Sequence, residues 1–322
     1  MAPRPPPIDP ECEADCCQEG LVQVTFSTGA SSIEADAQQP HLSGGGAWIV
    51  FTSGATNLVE ESLNGQREVF LYSLKTQQVH HVSAAPSGEQ ASGESVANGV
   101  SDDGRWILLT SRASDLTEAV DQNNSTDVFV FDQVLGERLL ISTSPDGGAA
   151  NGSSFGRDIS PDGRFVVYSS EASDLTDEDT NEAWDVFVWD RETGLSERIS
   201  MGPGDQQRNV QPGVHAHISD DGRYVSYHSL SDQLTPGSEN GVFDIFVTDR
   251  ERTSTTLLTR STIGALIDGN AFVLGMSGDA RFLSSYASAT NWVDADSNGV
   301  QDVFLIDRTL GSSKRGNLGP GG

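Results

Sequence analysis

Oxygen-bearing side chains recur at alternate positions in one segment near the C-terminus. Asp294-Ala-Asp296-Ser-Asn298-Gly299-Val-Gln-Asp302 sets donors at positions 1, 3, 5 and 9 around a glycine. A hard cation needs such converging oxygens, so calcium is the cofactor expected here. Asp177, Asp179, Asn181 and Asp185 repeat the arrangement without the glycine. Weaker versions are Asp121, Asn123 and Asp127; Ser238, Asn240 and Asp244; and Glu60, Ser62, Asn64 and Glu68. No bidentate Glu stands at position 12, which excludes an EF-hand. A purely structural reading stays open beside calcium. In it the Asn takes a left-handed turn and the acid accepts backbone N–H bonds ahead of a strand.

Aromatic residues sit in the same segments, with Trp184 and Phe243 at position 8 and Trp292 upstream of Asp294. With His215, His217, Arg157 and Asp158 they form a candidate sugar- or peptide-binding patch, the rings giving area and the polar groups orientation. The competing reading buries the aromatics in the core. Catalytic chemistry finds less support. His41, Gly99, Asp158, His217 and Gly275 occupy equivalent positions, and one acid falls short of the paired carboxylates of glycoside hydrolysis. A metal bridging His41, Asp158 and His217 is the remaining option there. There is no nucleophile elbow and no phosphate-binding loop.

These positions are equivalent because the chain repeats. Ser43-Gly-Gly-Gly-Ala-Trp48, Ser101-Asp-Asp-Gly-Arg-Trp106, Ser160-Pro-Asp-Gly-Arg-Phe165, Ser219-Asp-Asp-Gly-Arg-Tyr224 and Ser277-Gly-Asp-Ala-Arg-Phe282 begin 58, 59, 59 and 58 residues apart. Regular self-similarity of this kind marks repeat architectures. Each unit reads as four strands, a to d. An apolar residue ends strand a before the serine, and the Asp-Gly turn opens strand b. Strand c is Val69-Phe-Leu-Tyr72 or Val186-Phe-Val-Trp189, and strand d is typified by Arg138-Leu-Leu-Ile-Ser142. The recurring serines thus belong to the repeat and have no fixed His partner, which argues against a nucleophile.

One such sheet cannot bury both faces, but a ring of them can. The expected fold is all-β: a five-bladed β-propeller of four-stranded antiparallel blades over residues 21–311. The segment 1–20 reads as a Pro- and Cys-rich tail and 312–322 as a loose one. Leu21–Phe26 is expected to close the ring as the outer strand of the last blade, since Ser312–Leu318 is a weak β-former. In a meander the a–b and c–d turns share one rim. The long b–c and d–a connections then share the other, and long loops on a rigid scaffold carry recognition.

The Ser-x-Asp-Gly-Arg-aromatic turn, followed by Asp-Val-Phe-Val-x-Asp, resembles the TolB-type, WD-repeat-like β-propeller family. The resemblance implies a secreted, cell-surface or periplasmic propeller used for protein contacts. TolB itself carries an α/β domain before its propeller, so its lipoprotein-binding role does not carry over. Fold alone does not fix function.

Charge narrows the partners. With 47 acidic against 19 basic residues the formal net charge is −28, which repels phosphate backbones and anionic membranes. No apolar run is long enough to span a bilayer, and no signal-peptide pattern opens the chain. Cys12, Cys16 and Cys17 crowd the N-terminal tail, an odd set that suits a covalent tether or self-association. Three functions remain: a non-catalytic module holding a protein on the long-loop face, a glycan-binding or glycan-acting propeller, and a structural component of a surface assembly tethered by those cysteines.

Overall fold

The computed structural model describes residues 35–60, 63–117, 121, 123–176, 179–181, 183–204, 206–207, 215–230, 234–294, 296 and 299–317. The three cysteines, Leu21–Phe26, Asp177 and Asn298 lie outside them. The described chain is all-β, with five four-stranded antiparallel sheets, each a meander in sequence order. Sheet one holds β1 (Ala37–Leu42), β2 (Trp48–Ser53), β3 (Glu68–Ser73) and β4 (Gln78–His81). Sheet two holds β5 (Ser95–Val100), β6 (Trp106–Ser111), β7 (Asp127–Asp132) and β8 (Glu137–Leu140). Sheet three holds β9 (Ser154–Ile159), β10 (Phe165–Ser170), β11 (Asp185–Asp190) and β12 (Leu195–Arg198). A short hairpin follows, β13 (Met201–Gly202) with β14 (Gln206–Gln207). Sheet four holds β15 (Ala216–Ile218), β16 (Tyr224–Ser229), β17 (Asp244–Asp249) and β18 (Ser254–Leu257), and sheet five β19 (Ala271–Met276), β20 (Phe282–Ala287), β21 (Asp302–Asp307) and β22 (Ser312–Arg315).

The repeated turn is a hydrogen-bonded device. In sheet three Ser160 Oγ donates to Asp162 Oδ1 (2.6 Å) and accepts from the Phe165 amide (2.9 Å). Asp162 in turn accepts from the Arg164 amide (2.9 Å). Arg164 then grips Asp190 through two bonds (2.9 and 2.8 Å), the bidentate geometry that makes such pairs strong. The same set recurs at Ser101, Ser219 and Ser277. Every one of those serine hydroxyls is therefore engaged in holding its turn.

Neighbouring sheets interlock through the turn glycine. Gly163 has φ of 66°, and a Cβ there would stand 2.2 Å from Trp106 of the preceding sheet. Gly104 covers Trp48 and Gly222 covers Phe165 in the same way. Arginines complete the sandwich: Arg105 and Arg191 lie 4.6 and 4.2 Å from the Trp106 ring centroid, a cation–π arrangement on both faces. Strands β3, β7, β11 and β17 are buried almost throughout.

Sheet five differs. Its central strand β21 alternates buried and exposed, and Leu274, Val303 and Leu305 are 49%, 46% and 46% exposed on its far side. Sheet one keeps a separate cluster on its own far side, formed by Phe51, Ala55, Leu58, Phe70 and Tyr72. Among the described residues sheet five does not pack on sheet one. The closing-strand expectation also needs correction. The outer strand of sheet five is β22, from the segment expected to be a loose tail, and it pairs Ser312 with Asp307 and Arg315 with Phe304. Weak propensity is overridden by side chains: Arg315 reaches Asp296 (3.0 Å) and Asn317 donates to Asp302 (2.6 Å).

The interlock can be measured. Gly163→Ala should cost about 3 kcal/mol, combining left-handed strain with overpacking. Gly46→Ala, with φ of 70° but nothing within 4 Å of its Cβ, should cost only about 1 kcal/mol. Urea unfolding of both variants checks this; equal losses would mean the glycine–aromatic contact contributes nothing.

Candidate functional site

The two rims separate by their bonds. On the tight-turn side the Asp102 amide donates to Pro161 O (2.8 Å) and the Asp220 amide to Gly278 O (2.9 Å), so a–b turns of adjacent sheets join. On the other side the long connections join each other. The amides of Ser92 and Asn151 donate to Asp115 (2.8 Å) and Asp174 (2.9 Å), and Thr290 donates to Asp268 (2.7 Å). Asn123 Nδ2 donates to Ala150 O (2.7 Å). The b–c and d–a loops thus share a face.

The recurring acid at the head of each strand c is a structural node. Glu68, Asp127, Asp185, Asp244 and Asp302 are all buried. Four accept from a hydroxyl fifteen residues on: Glu68 from Ser83, Asp127 from Ser142 (2.7 Å), Asp185 from Ser200 (2.5 Å) and Asp244 from Thr259. Each hydroxyl accepts the next amide of strand c, as Ser142 does from Val128 (3.1 Å). The acids therefore take hydroxyl rather than backbone donors. Among the described residues, Asn64, Asn123, Asn181 and Asn240 do not adopt a left-handed backbone; Asn124 does, beside Asn123. Instead their Oδ1 atoms accept the amide two residues on, at 2.9 Å for Asn64 and 2.7 Å for Asn123, which is an Asx turn.

The expected calcium donors do converge, but around an arginine. In sheet three Arg198 Nη1 bonds Asp179 (3.0 Å) while its Nη2 lies 2.5 Å from Asp185. Sheet five repeats this with Arg315, 3.0 Å from Asp296 and 3.5 Å from Asp302. Asp294 instead accepts from Thr262 (3.0 Å). A guanidinium fills the place between positions 3 and 9 and bridges both acids, so a cation already stands where the described donors converge. No group of three or more metal-ligating side chains is gathered among the described residues. Sheet two has the acids without the arginine, Leu140 standing in its place. There burial, with Asp121 adding to it, pushes Asp127 up to about 7.

The aromatic patch forms in two parts. Trp184 packs against Phe155 (centroids 5.6 Å), over which Arg157 lies (5.6 Å). Phe243 meets Phe272 (5.1 Å) and the edge of His228 (5.7 Å), and Phe272 stacks on Tyr286 (5.0 Å). His215 stands 6.0 Å from His228. Phe155, His228, Phe272 and Tyr286 escaped the sequence reading. Phe155 and Phe272 share the second position of strand a, and comparing the repeats at that position would have found both. Nearer the axis His217 Nδ1 lies 3.5 Å from Asp158. Burial lowers the His41 pKa, with Asp158 opposing, so strands of sheets one, three and four meet around that carboxylate.

A cavity of about 710 Å³ lies at the periphery between β4 and the end of β7, lined by His80, Pro86, Phe131 and Arg138. It is a groove where outer strands splay. A smaller cavity of about 280 Å³ opens beside the axis on the long-loop side, lined by Asn98, Thr110, Arg112, Phe155 and Arg157.

No family model matches the sequence, and no curated protein matches it. Solved structures do. An oligogalacturonate lyase from Vibrio parahaemolyticus is 12% identical, with a TM-score of 0.53 over 90% of this chain and 71% of that one. A prolyl endopeptidase is 12% identical with a TM-score of 0.52, and the chain spans only 36% of its length. A TolB protein from Agrobacterium tumefaciens is 16% identical over 87% of this chain and 80% of that one, with a TM-score of 0.49. At such identities the likeness is one of fold.

Outcomes of two kinds are expected, for the acid–arginine nodes and for His228. Arg198→Met should destabilise the protein by about 3–5 kcal/mol, since it strands two buried carboxylates, and Asp179→Asn should recover part of that loss. Excess chelator should leave the wild-type melting temperature unchanged; a fall would restore calcium, because a ligand of the folded state must stabilise it. The second kind concerns His228, whose pKa burial pushes down to about 4, with His215, Arg157 and His217 adding repulsion. A depressed folded-state pKa contributes stability that is whole above about pH 6.5 and lost as pH falls toward 4. Wild type should therefore lose about 3 kcal/mol relative to His228→Phe over that window, read from denaturant midpoints at each pH.

Proposed function

We propose that the chain is a five-bladed propeller of the cell envelope or exterior that works as a non-catalytic binding module, holding a protein partner on its long-loop face. The observation that carries this is the hydrogen-bonded union of the long loops on one side, with Trp184, Phe155, Phe243 and His215 around them. Half-buried aromatics beside polar groups are the usual makings of an interface. The repeat serines, fixed in their turns, offer no nucleophile. The envelope location rests on the resemblance of the repeat to TolB-type propellers.

A pull-down from the native source should capture a partner with the wild-type chain. Capture should fall at least tenfold with the paired change Trp184→Ala and Phe243→Ala. It should persist with Asp220→Ala on the tight-turn rim. Loss only with the tight-turn variant would place the binding surface on the wrong side of the molecule.

A further inference from the structure

Two sets of arginines recur with the repeat. Arg105, Arg164, Arg223 and Arg281 recur with the turn, each held by a strand-c carboxylate. Arg191, Arg250 and Arg308 recur as the second layer over the aromatics. Arg157 belongs to neither set. It occupies the β-bulge of strand β9, where the ladder skips between Gly156 and Asp158. The same bulge carries Asn98 in sheet two and Leu274 in sheet five. Bulges re-aim a side chain and cluster beside functional sites.

Arg157 is largely buried yet has no carboxylate among the described residues. Its Nε and Nη2 both end on one hydroxyl, Ser169 Oγ, at 3.1 and 2.9 Å. Burial pushes its guanidinium down to about 10. Arg138 is similarly buried, but its donors reach the carbonyls of Val82 (2.9 Å) and Gly136 (3.2 Å), so its role is packing. Arg157 instead borders the 280 Å³ cavity. Arg112, which also lines it, is exposed and donates only to Thr126 Oγ1 (3.3 Å). The remaining arginine of the wall, Arg67, is already paired with Glu94 (2.6 Å). Among the described residues two cations without paired anions therefore border one cavity, whose lone lining carboxylate, Glu94, is held by Arg67.

We propose that this cavity binds a small carboxylate ligand of sugar-acid type, its carboxylate on Arg157 and Arg112 and its ring against Phe155. A guanidinium fork matches a carboxylate. The cavity lies just under the ~300 Å³ at which drug-sized pockets begin, so it suits one small molecule. Asn98, Gln39 and Thr110 in its wall supply donors and acceptors suited to hydroxyl groups. The strongly acidic surface around it opposes docking of an acidic protein more than entry of a monoanion. This site shares Phe155 with the aromatic face proposed above but does not depend on a protein partner binding there.

Isothermal titration of the purified chain with D-glucuronate, D-glucose and N-acetylglutamate tests the site. Glucuronate should bind wild type, and glucose at least tenfold more weakly. Arg157→Gln should cost glucuronate roughly tenfold or more, the worth of a charge-assisted bond, while Arg252→Gln should leave it unchanged. Should Arg157→Gln unfold the protein, Arg112→Gln carries the test, because its exposed side chain supports no packing and it too should weaken glucuronate. Absence of glucuronate binding to folded wild type overturns the proposal, as does undiminished binding in either cavity variant. Tighter binding of N-acetylglutamate than of glucuronate overturns the sugar acid in favour of an acidic side chain.

Discussion

A four-stranded sheet whose b and c strands are apolar on both sides cannot stand alone in water. Every sheet of this chain must therefore find two neighbours, and the contacts that join them govern the rest of the structure. The joint is made at close quarters. At three of the four joints the aromatic that opens strand b lies under the glycine of the next turn, with arginines over the Trp106 ring, while the last turn carries Ala280, at φ of 55°, in the glycine's place. Because that glycine has no Cβ, the next sheet can approach to van der Waals distance, and the a–b turns are drawn into one rim. The longer connections are left to the opposite rim, where they bond one another. Placement of a recognition surface is thus a consequence of how aromatic and glycine meet. It also follows that the last sheet, lacking such a neighbour among the described residues, shows its apolar side.

Charge imposes the second constraint. A chain so rich in acids must keep those it buries either protonated or paired, since an isolated buried carboxylate is costly. The five buried strand-c acids solve this in different ways. Asp185 and Asp302 are each matched by an arginine from strand d, which also holds the acid at position 3. Glu68 has His81 and Ser83. Asp244 has a serine, not an acid, at position 3, and burial pushes it up to about 6. Asp127 faces Asp121 with a leucine in the arginine's place, and burial pushes Asp127 and Asp185 alike up to about 7. The acid-rich loops are explained by this internal balance.

Much of this was legible in the sequence. The spaced serines, the Asp-Gly turns and the Val-Phe-Val strands located the sheets, because strand patterning and turn chemistry are local. The sharing of a face by the long loops was likewise readable, since it follows from meander topology alone. What escaped needed partners distant in sequence. Arg198 and Arg315 sit nineteen residues after the acids they neutralise, so loops read by themselves looked like ion sites. Ser312–Arg315 looked too weak for a strand until Arg315 and Asn317 found Asp296 and Asp302. The N-terminal apolar run was assigned the same edge by propensity, and tertiary pairing overrode that preference.

Departures from the repeat carry more functional information than the repeat does. A residue present in every unit answers a demand that every unit makes, as the turn serine and its arginine do. Strand a offers the contrast. Its bulge position holds Asn98, Arg157 and Leu274, and its second position holds Val96, Phe155 and Phe272. None of these is required by the ladder, and all lie toward the long-loop side. Sheet four omits the bulge altogether, with Ala216 and His217 pairing in direct register with Tyr227 and Ser226, and places His215 beside His228. The five sheets are alike where they touch each other and unlike along strand a.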